Sequence, residues 1–429
     1  MKKPLSAISK AVFALIALLL FFALAETASY MILKLVSPAR LKQPGFFPAG
    51  YLADNNRFVP DSTFYQPPGS DILVKLNNNA LRSGSIPYRK DKDEFRILVL
   101  GNSSAFGWGV QQDRTFSKVL ENLCNAGGGR IKYTVINAGI PGFSSFNSIA
   151  LMKSVGLRYE PDAVIAYLMN SDEILTKTED KPLVDIFISN LGVFSHSRLI
   201  SLLRELSGAL GKLLLESAAE KGGEELLRPR VSRQDYRNNL EKLCGMAEKN
   251  NIKLYLVMPV VPSDAITDKG RLDRFLYEHT DTGKINFQTR LNRERLTEEV
   301  KNEMAAAFIK QKKAGDAEGT GDVKIDLTAL EAEVSRRLVL AKVEKSTRLK
   351  TLSLYRNIVY YVDDYRNIML DVGREYKVRV VNLPLEVKAD LKSIIPEDIF
   401  LDEIHPSAAG HARIAEILYG VLKKDLMVQ

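Results

Sequence analysis

Arg96-Ile-Leu-Val-Leu-Gly-Asn-Ser-Ser-Ala-Phe-Gly107 decides how the rest of this chain is read. The run Arg96–Leu100 is short and almost continuously apolar, the pattern of a strand buried on both faces. Gly101 then breaks it, and Asn102, Ser103 and Ser104 follow at the point where such a strand ends. Similar runs lie at Tyr133–Ile136, Ala163–Leu168, Lys253–Met258 and Val378–Val381. Helical patterns separate them, for example Phe116–Leu123 and Tyr236–Asn250, and His405–Lys424 carries Ala, Ile and Leu at helical spacing as a closing helix. Buried strands alternating with helices predict an α/β fold: a parallel sheet of five strands covered on both faces.

Two regions exceed minimal α/β spacing. Residues 181–230 hold apolar helical segments (Leu199, Leu202, Leu203, Leu206), and about 264–355 are charged and mostly helix-forming, broken by the Gly-rich stretch 315–322. An insertion between the fourth and fifth strands is the economical account of the second region. Residues 40–94 are rich in Pro, Gly, Asn and Asp with short extended pieces such as Ile72–Leu76, which predicts an irregular lead-in wrapping the domain that follows.

At the N-terminus Lys2, Lys3 and Lys10 precede an apolar run from Ala11 to Ala25, and the chain is apolar again beyond Glu26 as far as Val36. A helix from Ala11 to Val36 reaches across a hydrocarbon core of about 30 Å with Glu26 near the far interface. The rival is a cleaved signal peptide, since Ala23-Leu24-Ala25 fits a small-x-small cleavage site. The second apolar stretch favours the anchor, because cleavage would leave it exposed at the new N-terminus. In both cases the lysines stay cytoplasmic and the bulk of the chain is expected to be exported, periplasmic or extracellular. The expected organisation is therefore 1–39 membrane anchor, 40–94 lead-in and 95–429 catalytic domain.

The 429 residues carry a net charge of +8. Lys and Arg are dispersed among acids with no run of five, so nucleic acid is not an expected partner, since phosphate binding needs positive charge gathered on one face. Cys124 and Cys244 form no metal-ligand spacing and sit in apolar helical patterns. They are expected as buried free thiols, with a disulfide left open for an exported domain. Neither a phosphate loop nor a dinucleotide fingerprint occurs, and no metal or other cofactor is expected.

In open α/β sheets, ligands bind outside the carboxyl ends of the strands. The clusters that follow the strands are Gly101–Gly107, Asn137–Gly142 and Asn170-Ser-Asp-Glu173, and Asp402-Glu-Ile-His-Pro406 leads into the closing helix. A serine hydroxyl is a weak nucleophile that needs an imidazole base, and the base needs a carboxylate to fix its tautomer. Asp402 and His405 lie three apart, so one turn entering a helix can aim both at Ser103. Backbone N–H groups at Ser103 and Gly142 and a side-chain amide are available for a developing oxyanion. His411 is expected to pack or cap. His196 and His279 lie in the variable regions, and Trp108 reads as pocket wall or core.

The block 97–110, the Asn-Ala-Gly-Ile-Pro-Gly block 137–142 and Asp-Glu-Ile-His-Pro at 402–406 resemble the SGNH/GDSL hydrolases, in that family's order. The resemblance covers most of 95–260 and 365–425 and implies a flavodoxin-like three-layer α/β/α fold with Ser103, His405 and Asp402 as a triad. Asn77–Arg82 with Gly84 is similar to an Asn-x-x-Gly-x-Arg-Gly segment often found in membrane-anchored members. Two positions depart from the family. Its Gly-Asp-Ser is here Gly-Asn102-Ser103, which keeps hydrogen bonding and loses a charge. Its Gly-x-Asn-Asp places Ser171 at the asparagine position, so either Asn170 takes the oxyanion role or Ser171 offers a hydroxyl donor. The resemblance implies an esterase acting on acyl (for instance O-acetyl) esters of a small molecule or an envelope or extracellular glycan. The alternatives are an O-acyltransferase and an inactive envelope scaffold.

Overall fold

The computed structural model describes residues 7–36, 58–66, 70–176, 180, 197–199, 202–203, 228–279, 300–304, 306, 362–389 and 395–426. Most of the segments 181–227 and 280–361 lies outside them, and with it most of the expected insertion.

After an N-terminal helix α1 (Ala7–Val36), two short strands, β1 (Thr63–Tyr65) and β2 (Leu73–Lys75), form an antiparallel ribbon. Then come β3 (Glu94–Gly101), α2 (Ser103–Phe106), α3 (Phe116–Asn125), β4 (Lys132–Gly139), α4 (Ser145–Ser154) and β5 (Ala163–Tyr167). The small ribbon of β6 (Leu175–Thr176) and β7 (Arg228–Pro229) precedes α5 (Arg233–Lys249), β8 (Lys253–Met258), α6 (Pro262–Ala265) and α7 (Lys269–His279). The chain closes with α8 (Val362–Glu375), β9 (Arg379–Asn382), α9 (Leu383–Ala389) and α10 (Ala408–Leu426). Five strands form one sheet in the order β4-β3-β5-β8-β9, parallel throughout. This is a doubly wound, flavodoxin-like order, in keeping with the three-layer fold that the family resemblance implies.

Alternation along β3 builds both cores. Leu98 and Leu100 face one side with Ile136, Val164 and Leu256, against Leu151 of α4, Leu240 of α5 and Met369 of α8. Ile97 and Val99 face the other side with Ile165 and Val257, against Phe116 and Leu120 of α3 and Ile414 and Leu418 of α10. Each fully buried side chain of this size contributes about 1.5–3 kcal/mol, so the strands are fixed in register by what they bury on both faces.

Two elements differ from the expected bounds. β4 runs three residues beyond Ile136, because Asn137, Ala138 and Gly139 pair with Val99, Leu100 and Gly101. The closing helix starts at Ala408 rather than at His405, because Phe400 and Pro406 form an isolated bridge and the Ser407 hydroxyl caps Gly410 N–H. The described part of the lead-in, which the sequence reading has wrapping the domain, packs into it: Phe58, Val74, Leu76, Ala80 and Leu81 are buried in the core shared with Leu98 and Leu100.

Helix α1 contains an apolar stretch of 25 residues, Val12–Val36, with mean hydropathy 2.2. At 1.5 Å per residue that is about 37 Å, long enough to cross a bilayer core. Glu26, the one acid of this stretch, accepts the Arg198 N–H at 2.7 Å. Both cysteines are free thiols, and burial pushes each up to about 12, which makes them poor nucleophiles.

Candidate active site

Strand register assembles the rim. Gly101 pairs with Gly139 on one side and Tyr167 on the other. Ser103, Gly142 and Asn170 therefore leave three adjacent strands at one level. A Cβ on Gly101 would lie 2.5 Å from Ala105 Cβ and 2.6 Å from the Tyr167 carbonyl oxygen, so only glycine lets the serine turn sit this low on the sheet.

Ser103 is the first residue of α2, and Asn102 caps that helix: its side-chain oxygen accepts the Ser104 N–H at 3.0 Å. Asparagine serves this role as well as aspartate does, so the departure at 102 preserves the turn that presents the serine. Ser104, buried beside it, donates its hydroxyl to the Ile404 carbonyl at 2.9 Å and ties the serine turn to the 402–405 loop.

That loop brings Ser103, His405 and Asp402 together. Ser103 Oγ lies 2.8 Å from His405 Nε2, and His405 Nδ1 lies 2.7 Å from Asp402 Oδ2. An ionised carboxylate only accepts, so Nδ1 carries the proton and Nε2 accepts from the Ser103 hydroxyl. Asp402 Oδ1 also accepts the N–H groups of Ile404 at 2.9 Å and His405 at 2.8 Å. Burial pushes the Asp402 carboxyl up, but the His405 ring and these two N–H groups outweigh it and hold the group below the usual carboxylate range. Trp108 stacks on the His405 ring with centroids 5.8 Å apart and planes 21° apart, and its half-exposed position makes it a wall of the site.

The other expected donors occupy the same rim. Gly142 is exposed in a left-handed turn closed by Phe143 N–H to the Ile140 carbonyl. Asn170 is 2% exposed, and among the described residues neither polar atom of its amide has a partner. Ser171 is buried next to it. The turn that carries both is strained, since Met169 holds φ at 126° while its carbonyl accepts the Asp172 and Glu173 N–H groups. An orphaned, buried amide on a strained turn costs stability, and it leaves an N–H₂ group at the rim able to donate to a ligand atom or a water.

Other histidines play structural parts. His411 is fully buried, accepts the Phe116 N–H at 3.2 Å and is driven down to about 3 by burial, so it stays neutral. His279 contacts the Phe275 carbonyl through Nδ1, and His196 lies outside the described residues. Sequence reasoning gave no role to Asn137, whose amide donates to the Ala105 and Phe106 carbonyls and braces α2, although it stood in a block already singled out. A polar cavity of 380 Å³ opens two strands from Ser103, at the ends of β8 and β9, between Asp264, Arg366, Asn382 and Lys388. Among the described residues no group of three or more His, Cys, Asp or Glu side chains is arranged to hold a metal.

Behind the strained turn, burial raises Glu173 to about 8, an effect that Arg366 opposes and Asp172 and Asp264 reinforce. The folded chain thus binds this proton more tightly than the unfolded chain does. The stability gained is complete below the ordinary glutamate range and is lost as pH rises through about 8. The neutral isostere Glu173→Gln is expected to flatten that decline. At pH 8 it should be more stable than the parent by on the order of 2 kcal/mol, or roughly 2–4 °C in Tm, with little difference at pH 4.5. Thermal melts across this range check the sign: parallel slopes for parent and variant refute it.

No family model matches the sequence, and no curated protein matches it. Among solved structures, the chain is similar to LAE5, an α/β hydrolase enzyme from the metagenome of Lake Arreo, at 12% identity and a TM-score of 0.38, covering 78% of this chain and 96% of that one. It is similar to the acetyl xylan esterase AlAXEase at 12% identity and a TM-score of 0.37, covering 76% of this chain and all of that one. It is also similar to a GDSL-like lipase from Parabacteroides merdae at 11% identity and a TM-score of 0.38, covering 77% and 96%. These superpositions are loose, and the fold is carried by the strand order and the blocks at the strand ends.

Proposed function

We propose that this chain, which has an SGNH/GDSL-hydrolase fold, is a serine esterase acting on acyl esters. The observation that carries this reading is the hydrogen-bonded chain Ser103–His405–Asp402 at 2.8 and 2.7 Å. Ser103 Oγ attacks the ester carbonyl while its proton passes to His405 Nε2, and Asp402 stabilises the imidazolium that forms. The N–H groups of Ser103 and Gly142 and the amide of Asn170 receive the oxyanion. Collapse expels the alcohol, protonated by His405, and water activated by the same base releases the acid. The finer reading is an O-acetyl or other short acyl ester on an envelope or extracellular glycan. A domain tethered by α1 outside the cytoplasm would meet such a substrate at the membrane surface, and the flat wall of Trp108 beside His405 suits a small acyl group or a sugar face. The test is hydrolysis of short p-nitrophenyl esters together with labelling by a fluorophosphonate. The reading expects a single adduct on Ser103, whereas no turnover and no adduct would leave an inactive scaffold as the better account.

Asn170 is assigned the third oxyanion donor, since its amide alone in this turn is buried with both polar atoms unpartnered. Asn170→Ala is expected to lower kcat about 10²–10³-fold with KM little changed. Ser171→Ala should cost less than tenfold. Steady-state kinetics of both variants decide the matter, and the reverse ranking would move the donor to Ser171.

A further inference from the structure

The nucleophile helix α2 has only four residues, too short to hold itself, and its carbonyl end needs partners. They come from the lead-in. Arg82 is 3% exposed and donates from Nη1 to the Phe106 and Gly107 carbonyls and from Nη2 to the Val110 carbonyl at 2.6 Å. Its guanidinium lies over the Phe106 ring, 4.9 Å from the centroid. Among the described residues no carboxylate pairs with it, so both Nη groups of a buried cation rest on the carbonyl dipoles of residues 106–110, while its Nε has no partner there. Burial lowers it to about 10, which keeps it charged at neutral pH.

The turn that presents Arg82 is itself braced. Asn77 Oδ1 accepts the Asn79 and Leu81 N–H groups at 2.9 and 3.0 Å, and its amide donates to the Gly84 carbonyl at 3.2 Å. On the receiving side there is no slack: a Cβ on Gly107, at φ +88°, would lie 3.1 Å from Arg82 Nη1 and 2.5 Å from Thr115 Cγ2. The loop so clamped contains Trp108, whose N–H bonds back to the Ser103 carbonyl and whose ring stacks on His405. Arg82 thereby fixes the serine and the wall of its base through one segment.

We propose that Arg82 is a positioning residue for the esterase site, holding residues 106–110 so that Ser103 and Trp108 meet His405 in reactive register. This rests on the esterase reading for its kinetic consequence, but the geometry has a readout of its own. Trp108 is the only tryptophan of the chain, so its fluorescence reports this loop directly.

The experiment compares the full chain with Arg82→Met and Arg82→Lys. Arg82→Met is expected to lower kcat about 10–100-fold with KM within about twofold, and to slow fluorophosphonate labelling by the same factor. Arg82→Lys restores the charge but cannot span three carbonyls, so it recovers part of the loss. In both variants Trp108 emission is expected to change. If Arg82→Met does not fold, Arg82→Lys carries the test. Unchanged kcat per labelled site with unchanged Trp108 emission in a folded variant overturns the proposal. If the parent hydrolyses no ester, the esterase reading fails while the Trp108 signal still decides whether Arg82 sets this loop.

Discussion

Ser103→Ala is expected to lower kcat/KM for short p-nitrophenyl esters about 10⁴–10⁶-fold and to abolish labelling by a fluorophosphonate. The size follows from what alanine removes. On the esterase reading the hydroxyl is the atom that bonds to the acyl carbon, and among the described residues it is the partner of His405 Nε2. Without it the donors proposed at Gly142 and Asn170 still stand on the rim, and on the esterase reading they supply only the residual binding catalysis. The substitution deletes one partly buried oxygen at the first position of α2, where the cap from Asn102 survives. Folding is therefore not at stake, and a melt matching the parent should accompany the loss. Hydrolysis by Ser103→Ala within tenfold of the parent would mean that the hydrogen-bonded chain through His405 is not the catalytic one.

The sequence carried the sheet because each strand is buried on both faces, which leaves an apolar run with little ambiguity. Ala163–Tyr167 is wholly buried and was legible from its composition alone. The residues that complete the strands were not. Asn137 and Gly139 look like turn residues, and only pairing with Val99 and Gly101 makes them part of β4. The site divides in the same way. Ser103, Asp402 and His405, which the fold joins in one hydrogen-bonded chain, could be singled out because they stand in short blocks at strand ends. What supports them could not, since it depends on long-range contacts: Ser104 to the Ile404 carbonyl across 300 positions, and Arg82 to a helix more than twenty residues on. Asn102 looked like a loss against the family pattern because the sequence does not show that the position works as a helix cap, a role for which charge is dispensable. At Asn170 and Ser171 the sequence left the donor open between the two, and a buried amide without a partner among the described residues supports Asn170.

Asp402→Asn is expected to lower kcat about 10⁴-fold while leaving the fold and the nucleophile in place. Asp402 does two jobs with two oxygens. Oδ1 accepts the Ile404 and His405 N–H groups, and Oδ2 accepts from His405 Nδ1 at 2.7 Å. An asparagine can keep the first job by turning its oxygen to the two backbone donors, which preserves the loop. Its amide nitrogen then faces Nδ1, and two donors cannot share that contact, so the imidazole proton moves to Nε2. That nitrogen would point an N–H at Ser103 Oγ and could no longer take the serine proton. The adjacent carboxylate Glu403 serves as the control, since the hydrogen bond to Nδ1 comes from Asp402. Glu403→Gln should thus stay within about twofold of the parent. Unlike Ser103→Ala, the Asp402→Asn variant retains its nucleophile, so it should still be labelled by a fluorophosphonate to completion, only far more slowly. The pair of measurements separates orientation of the base from presence of the nucleophile. A fall of less than tenfold in Asp402→Asn would show that His405 holds its tautomer without the carboxylate, and the role given to Asp402 would then be wrong.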